Sequence, residues 1–368
     1  SNRFYGLTSS RLEIMKELNK VSNVIACGSY DKNANKLEET GIEYKIIGIN
    51  RGGLSVFQDL VAFLQAYKIV KNTKPKVIHC FNAKAIIYFG LVSYLLPYRE
   101  RKYFYTITGL GMSLKCNGLT SKLAIWGYRK VLNRPNTHTI FQNKDDLKVF
   151  LDKKWIDKTK TSLIISSGVD TDKFKPVCRS LTKDKRIAYV GRLLWDKGVG
   201  EFLKAAKEIK KKRNDIEFIL AGETDENHPN SVSKAIIKEN EDEGIISYEG
   251  YINDMPDFLS KTYIFIFPSY YAEGVPRVNL QAASCGIPII TCDSVGCRET
   301  VIDGETGFLI QPKSSTELTK NILDLVDDRK KYQAFSKNAR NYMVEKFDKR
   351  KIINQYLHLY RKIGILNK

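Results

Sequence analysis

The sequence predicts an α/β protein built from two doubly wound, Rossmann-like domains. Short runs of β-branched and aromatic residues alternate with helical patterns such as residues 56–71, and this alternation is typical of parallel sheets covered by helices. A charged connector at residues 176–185 interrupts the series, and a second series follows it. The length of 368 residues suits two domains, and 43% hydrophobic residues are enough for two cores.

The apolar runs locate the strands of each series. We expect strands at residues 23–27, 44–49, 77–80, 102–108, 137–141 and 162–165, and then at 186–190, 217–221, 245–248, 263–267 and 287–291. The first domain is predicted to span residues 1–175 and the second residues 176–348. No internal repeat or low-complexity segment interrupts either series.

The segment from Tyr270 to Val301 indicates a phosphate-binding element. A buried strand at 263–268 leads into the loop 272–276, and Pro276 suits the first turn of the helix that follows. The free N–H groups of that turn, with the positive end of the helix dipole, would face an anion. Glu273 and Gln281 are eight residues apart, so they flank this element at its two ends and could contact a hydroxylated ring and a ribose.

A second element follows the strand at 186–190. Gly191 and Arg192 begin a turn that reaches Lys197 and Gly198 before an amphipathic helix. Arg192 and Lys197 therefore lie at the carboxyl end of a parallel strand, where ligands bind in open α/β sheets. Fixed cations there would stabilise a departing diphosphate, which gains negative charge as its bond breaks.

These two elements together resemble the donor site of retaining family-4 glycosyltransferases of GT-B fold. The matching motifs are E-G-x-P-R-V-x-L-x-A from Glu273 and G-R-x-x-x-x-K-G-V from Gly191, and the likeness extends over nearly the whole chain. The family pattern has a second glutamate where this chain has Gln281, which keeps hydrogen bonding and removes the charge. The resemblance implies catalytic roles for Arg192, Lys197 and Glu273 and no metal ion or other cofactor. It implies nucleotide-sugar binding by Gly191, Tyr251, Gly274, Val275, Pro276, Arg277, Val278 and Gln281.

The resemblance also suggests an acceptor. A T-G-L-G turn from Thr108 and an N-A-K-A loop around Lys84 are similar to enzymes that add hexose or N-acetylhexosamine to undecaprenyl-diphosphate-linked sugars. Many family members have a histidine where this chain has Thr108. His79 is expected to be a satisfied residue near the end of its strand. The implied acceptor-binding residues are Gly6, Arg11, Lys84, Thr108, Gly109 and Gly111.

A GT-B protein further implies two features at the chain ends. Its first domain opens with a strand, whereas residues 1–6 here resemble the loop after that strand, and Ser10 with Arg11 resembles the start of the first helix. We therefore expect the first strand to lie upstream of this sequence or to be missing. The last helix, within residues 349–368, is expected to return to the first domain.

The basic charge is concentrated in the first half of the chain. Residues 1–170 contain 27 Lys and Arg against 13 Asp and Glu, whereas the remaining residues contain 33 against 28. Two basic-aromatic segments, 86–102 and 122–134, could rest on an anionic membrane, although a buried helix followed by a charged turn explains the first segment equally well. The resemblance favours the membrane, and it implies a cytoplasmic protein at the inner face of the cell membrane.

Composition excludes several other classes. No run of about 18 apolar residues predicts a transmembrane helix, and no signal peptide is evident. Seven scattered cysteines indicate reduced thiols, and four dispersed histidines predict no metal site. Nothing resembles a recognition helix, an RNA-binding aromatic pair or a zinc module, so no nucleic-acid partner is expected.

The sequence therefore predicts transfer of a glycosyl unit, with retained anomeric configuration, from a nucleotide sugar to a lipid-linked saccharide. The nucleotide is expected to be UDP. One alternative is a non-catalytic sugar-nucleotide-binding scaffold in a polysaccharide assembly complex, which Gln281, Thr108 and the expected absence of the first strand leave open. A nucleic-acid-binding protein is suggested only by charge. GT-B epimerases share the architecture but lack the E-G-x-P-R-V pattern.

Overall fold

The chain divides into two compact units. The computed structural model describes residues 3–49, 55–97, 100–110, 118–177, 185–225 and 228–365. Unit 1 consists of residues 1–167 together with 350–368, and unit 2 of residues 168–349. The break after Ser167 precedes the charged connector at 176–185.

Parallel strands form the sheets of unit 1. Within the described residues β1 pairs with β2, and a separate sheet has the order β3-β4-β5-β6. The strands are β1 (Ile25–Gly28), β2 (Glu43–Ile46), β3 (Val77–Phe81), β4 (Lys102–Ile107), β5 (Thr137–Phe141) and β6 (Thr161–Leu163). Arg3 forms an isolated parallel bridge with Ser29, just beyond β1.

Helices cover both faces of the larger sheet of unit 1. The helices of unit 1 are α1 (Phe4–Ser10), α2 (Leu12–Asn19), α3 (Asn35–Glu38), α4 (Val56–Thr73), α5 (Ala83–Leu95), α6 (Leu119–Leu132), α7 (Lys144–Asp152) and α14 (Lys349–Lys362). On one face, Tyr103 and Tyr105 of β4 share a core with α4 to α7. On the other, Phe104 packs with α2 and α14. This alternation along β4 is what the two-residue period of a strand requires when both faces are covered.

A buried polar cluster ties α14 to the sheet. His79 of β3 shares one hydrogen bond with the hydroxyl of Tyr360 and another, of 2.7 Å, with Oγ1 of Thr106. Burial, reinforced by the nearby charge of Arg11, holds the pKa of His79 well below its ordinary value, so this histidine is neutral. Lys102 also donates to the carbonyl oxygen of Ile363. His79 is thus a satisfied residue of the core, as expected.

Unit 2 contains a six-stranded parallel sheet within the described residues, with the order β12-β11-β10-β7-β8-β9. The strands are β7 (Lys185–Val190), β8 (Ile216–Ala221), β9 (Ser247–Gly250), β10 (Ile264–Phe267), β11 (Ile289–Cys292) and β12 (Gly307–Ile310). The helices are α8 (Val199–Lys210), α9 (Lys234–Asp242), α10 (Met255–Ser260), α11 (Arg277–Ser284), α12 (Ser315–Asp327) and α13 (Arg329–Tyr342). The strand order reverses between β7 and β10, and such a switch point opens a crevice at the carboxyl ends of the strands.

The structure corrects one expectation, adds one strand and decides one open alternative. Residues 4–10 form α1, not a loop, because Phe4 and Leu7 are buried against the core of β1 and α3. Strand β12 was not expected, since its short run G-F-L-I gives little periodicity. The apolar segment after Ile86 is a buried helix: Ile86, Phe89 and Val92 are each at most 6% exposed. Tyr98 and Arg99, at the end of that segment, lie outside the described residues.

The described helices include none that is long and apolar enough to cross a membrane.

Two tyrosines of α14 offer a test of the buried cluster. Tyr360→Phe leaves a ring nitrogen of His79 without its partner, so the free energy of unfolding should fall by about 1–3 kcal/mol. The hydroxyl of Tyr356 is buried and has no hydrogen-bond partner among the described residues, so Tyr356→Phe should be neutral or stabilising. Urea unfolding followed by circular dichroism measures both, and equal losses in the two variants would contradict the assignment.

Candidate active site

The two predicted phosphate-binding segments of unit 2 meet at the switch point of its sheet. Strand β7 continues into Gly191, Arg192 and a 3₁₀ turn, Trp195–Lys197, that precedes α8. Strand β10 is paired directly with β7 and continues into the loop containing Glu273. Because the strands are parallel and adjacent, both segments leave the sheet at the same edge.

Lys197 and Glu273 form an ion pair across these two segments. The Lys197 ammonium donates to Oε1 of Glu273, and the side chains are only 10% and 17% exposed. Aromatic rings surround the lysine, with its Nζ 5.3 Å from the ring centroid of Phe267 and 5.4 Å from that of Tyr271. Such contacts favour a cation. The site therefore holds a positive and a negative charge side by side with limited access to water.

Arg192 lies in a more open position. Its Nη1 is 3.6 Å from Oδ2 of Asp225, and both side chains are more than one third exposed. An ion pair of this kind contributes about 0–1 kcal/mol, so an incoming anion can readily compete for the guanidinium. Arg192 is thus available to a ligand, whereas Lys197 is already engaged by a buried partner.

The loop and helix after Glu273 leave backbone donors for an anion. Pro276 is the N-cap of α11, and its own side chain makes no capping hydrogen bond. Pro276 therefore precedes the first helical residue, one position earlier than expected, because its ψ of 118° is extended. The N–H groups that begin α11 are those a phosphate would contact.

A close backbone approach fixes the shape of this loop. Gly296 has φ of +76°, and a Cβ atom there would lie 1.4 Å from the carbonyl oxygen of Gly274. The segment after β11 can therefore pack on the loop only through glycine. Val275, Arg277 and Val278 are half-buried around the same turn.

The remaining predicted nucleotide-binding residues lie farther along the sheet edge. Gln281 is half-buried in the second turn of α11. Tyr251 follows β9 and is 54% exposed. From β10 to β9 the edge spans three strand spacings of about 4.8 Å each. An extended ligand lying on this edge would run from the Glu273 loop toward Tyr251.

Sequence reasoning missed Asp196, which braces the site. This residue is 8% exposed, and its carbonyl oxygen accepts hydrogen bonds from the N–H groups of Tyr270 and Tyr271, at 3.1 and 2.9 Å. Its Oδ2 accepts from Asn230 at 3.3 Å, while Oδ1 has no hydrogen-bond partner in the described part of the chain. Asp196 joins the turn of Lys197 to the loop of Glu273. Only its place next to Lys197 could have drawn attention to it.

The predicted acceptor residues belong to unit 1 and are mostly engaged. Lys84 pairs with Asp59 at 2.8 Å. Oγ1 of Thr108 donates to the side chain of Asn82 at 2.7 Å, and the adjacent Gly109 has φ of +139°. The guanidinium of Arg11 is buried, stacks on Phe81 and donates to the carbonyl oxygen of Ser10. Gly6 lies within α1, and Gly111 lies outside the described residues.

The described residues contain no group of three or more His, Cys, Asp or Glu side chains that could hold a metal ion.

Comparison with known proteins connects this geometry to a family. Residues 170–342 match the family model described as glycosyl transferases group 1. The N,N'-diacetylbacillosaminyl-diphospho-undecaprenol α-1,3-N-acetylgalactosaminyltransferase of Campylobacter jejuni is 28% identical over 96% of this chain and 95% of its own length. The UDP-Gal:α-D-GlcNAc-diphosphoundecaprenol α-1,3-galactosyltransferase of Escherichia coli is 24% identical over 83% of this chain and 80% of its own length.

Solved structures agree on the fold. Anabaena Alr3699/HepE, crystallised with UDP, superposes with a TM-score of 0.82 at 18% identity and covers 98% of each chain. WaaG, a glycosyltransferase involved in lipopolysaccharide biosynthesis, superposes with a TM-score of 0.72 at 12% identity, over 96% of this chain and 95% of its own. The expected GT-B fold is confirmed. The chain therefore has the GT-B fold, and its residues 170–342 match the glycosyl transferases group 1 family.

Proposed function

We propose that this protein transfers a hexose or N-acetylhexosamine from a UDP-sugar to a polyprenyl-diphosphate-linked saccharide, with retention of the anomeric configuration. The observation that carries the proposal is the Lys197–Glu273 pair, with Arg192, at the switch point of the unit 2 sheet. Two relatives support the acceptor class, since their names specify diphospho-undecaprenol substrates. The name of one specifies a UDP-sugar.

The cations at this edge would stabilise the leaving diphosphate. As the bond from C1 of the sugar to the phosphate oxygen breaks, negative charge grows on that oxygen, beside Arg192, Lys197 and the backbone N–H groups on either side of Pro276. Groups fixed in advance at that position stabilise the transition state more than the ground state. The bound diphosphate gives Lys197 an anionic partner to replace or share with Glu273.

Glu273 would then contact the transferred sugar. Its carboxylate can accept hydrogen bonds from sugar hydroxyl groups and offset positive charge that develops near C1. The acceptor hydroxyl forms its bond to C1 on the face that the diphosphate leaves, and its proton passes to the departing phosphate oxygen. Arg277 and Gln281 would bind the donor at α11, with Gln281 meeting the ribose, and Tyr251 would lie by the base.

The acceptor would bind unit 1. Gly6, Arg11, Lys84, Thr108, Gly109 and Gly111 are the proposed contacts. The Thr108–Asn82 hydrogen bond fixes one wall of this region, and the positive φ of Gly109 permits close backbone approach. Lys84 would have to exchange Asp59 for an acceptor phosphate.

We propose that the protein works at the anionic inner face of the cell membrane. A lipid-linked acceptor is presented at a bilayer surface, and unit 1 has the excess of basic residues that an anionic leaflet attracts.

Charge removal at the sheet edge gives the first test of this mechanism. Arg192→Ala and Lys197→Ala should each lower kcat/KM by about 10²–10³, as loss of a transition-state donor does. Lys207→Ala is a matched control, because Lys207 lies on the outer side of α8, pairs with Glu243 and is 56% exposed. Initial rates of UDP release with saturating acceptor measure the effect. Equal activity in all three variants would remove Arg192 and Lys197 from the mechanism.

The reaction itself can be tested directly. The purified protein, a polyprenyl-diphosphate-linked monosaccharide and a panel of UDP-Gal, UDP-GalNAc, UDP-Glc, UDP-GlcNAc and GDP-Man should give an α-linked product with at least one UDP-sugar. Mass spectrometry detects the transfer and NMR of the anomeric proton assigns the linkage. A β-linked product would contradict retention. UDP binding without transfer from any donor would favour the scaffold alternative.

A further inference from the structure

The first half of α4 presents an apolar face to solvent. Large apolar side chains there are 36–85% exposed: Val56 85%, Phe57 76%, Leu60 54%, Val61 36% and Leu64 49%. At 3.6 residues per turn they lie on one side of the helix, opposite the buried Ala62, Ala66 and Val70. Single exposed apolar residues are common, but a contiguous group of this size marks an interaction surface.

Contacts on the inner side of α4 fix this orientation. Asp59 accepts hydrogen bonds from Lys84 at 2.8 Å and from the Tyr88 hydroxyl at 2.6 Å, both on α5. Gln65 accepts another from the N–H of Gly48 at 2.8 Å. A rotation that buried Phe57 would break this ion pair and expose the small residues that allow α4 to pack on α5. The outward apolar face is therefore a property of the packed unit.

Basic residues lie next to the apolar face. Lys68 and Lys71 extend it along the second half of α4, and both are exposed. Between Val56 and Leu132 the chain has twelve Lys and Arg against two carboxylates, Asp59 and Glu100. Asp59 is directed inward, to Lys84. The outward side of α4 thus combines apolar side chains with cations.

Helix α6, which belongs to the same layer, has a similar outward surface. Leu123 and Trp126 are 46% and 53% exposed. An open cavity of about 560 Å³ is lined by Lys122, Ile125, Trp126, Arg129 and Lys130. A helix rich in Lys or Arg next to Trp, Phe and Leu is the pattern of surfaces that lie in the headgroup region of a bilayer.

We infer that the outward face of α4, with Phe57 and Leu60 at its centre, inserts into an anionic bilayer. The apolar side chains enter the boundary between headgroups and acyl chains, while Lys68, Lys71 and the cations of α6 contact anionic headgroups. Charge selects the lipid surface over a second copy of this chain, since two such basic faces would repel each other. This inference rests on the proposed function only in that a lipid-linked acceptor gives the insertion a purpose.

Vesicle binding tests the inference. Wild-type protein should sediment with phosphatidylcholine vesicles that contain about 30% phosphatidylglycerol and bind pure phosphatidylcholine at least tenfold more weakly, with binding reduced at high salt. Phe57→Ser with Leu60→Ser should lower the partition coefficient at least tenfold. A matched control is Val21→Ser with Tyr30→Ser, which alters two apolar residues of unit 1 that are 68% and 62% exposed and should bind as wild type does.

Two further measurements make the outcome decisive. UDP affinity, measured by calorimetry on each variant, should be unchanged, because the substitutions lie in unit 1. If the wild-type protein does not bind UDP, the proposed function is refuted, whereas the inference about the membrane is unaffected. Vesicle binding by the Phe57 and Leu60 variant equal to that of wild type would overturn the inference. So would a wild-type dimer in light scattering that this variant dissociates, because that result would assign the face to a second copy.

Discussion

The Lys197–Glu273 ion pair is the interaction on which the organisation of unit 2 depends. It joins two loops that leave adjacent parallel strands, and its side chains are largely removed from water. Taking two charges out of water is costly, and their attraction offsets that cost only when other groups hold them in place. The carbonyl of Asp196 provides this support, because it fixes both tyrosines that precede Glu273.

The pair also explains why the two cations of the site differ. Lys197 is held by a buried partner, whereas Arg192 has a weak, half-exposed one in Asp225. A nucleoside diphosphate arriving at this edge would meet the guanidinium first, as a planar fork suited to phosphate oxygens. Lys197, which is already held in position, would then stabilise the bound diphosphate as a point charge. Gly296 and the start of α11 contribute backbone shape and backbone donors to the proposed diphosphate-binding edge.

Sequence motifs predicted the strands and loops that build this edge, because glycine, proline and charged residues at fixed spacing constrain the backbone locally. The motifs could not predict contacts between residues that are distant in the sequence. Asp59 and Lys84 are 25 residues apart, so nothing in either segment indicated that the lysine is already paired. The sequence of α4 did not predict which side of the helix is buried, because its apolar residues lie on both sides. Only the packing shows that Phe57 faces water while Ala66 is buried. In α5, by contrast, an apolar segment that resembled a membrane-binding surface is buried in the core of unit 1.

The most direct test of the account compares single variants at Lys197 and Glu273, read out as the affinities of UDP and of the accepted UDP-sugar. Lys197→Ala should weaken UDP about tenfold or more, equivalent to about 1.4 kcal/mol. Glu273→Gln should leave UDP affinity unchanged or improve it, because it releases Lys197 for the diphosphate, and should abolish any preference for the sugar nucleotide over UDP. If Glu273→Gln instead weakened UDP as much as Lys197→Ala, the pair would be a structural brace and the division of roles between diphosphate and sugar would be wrong.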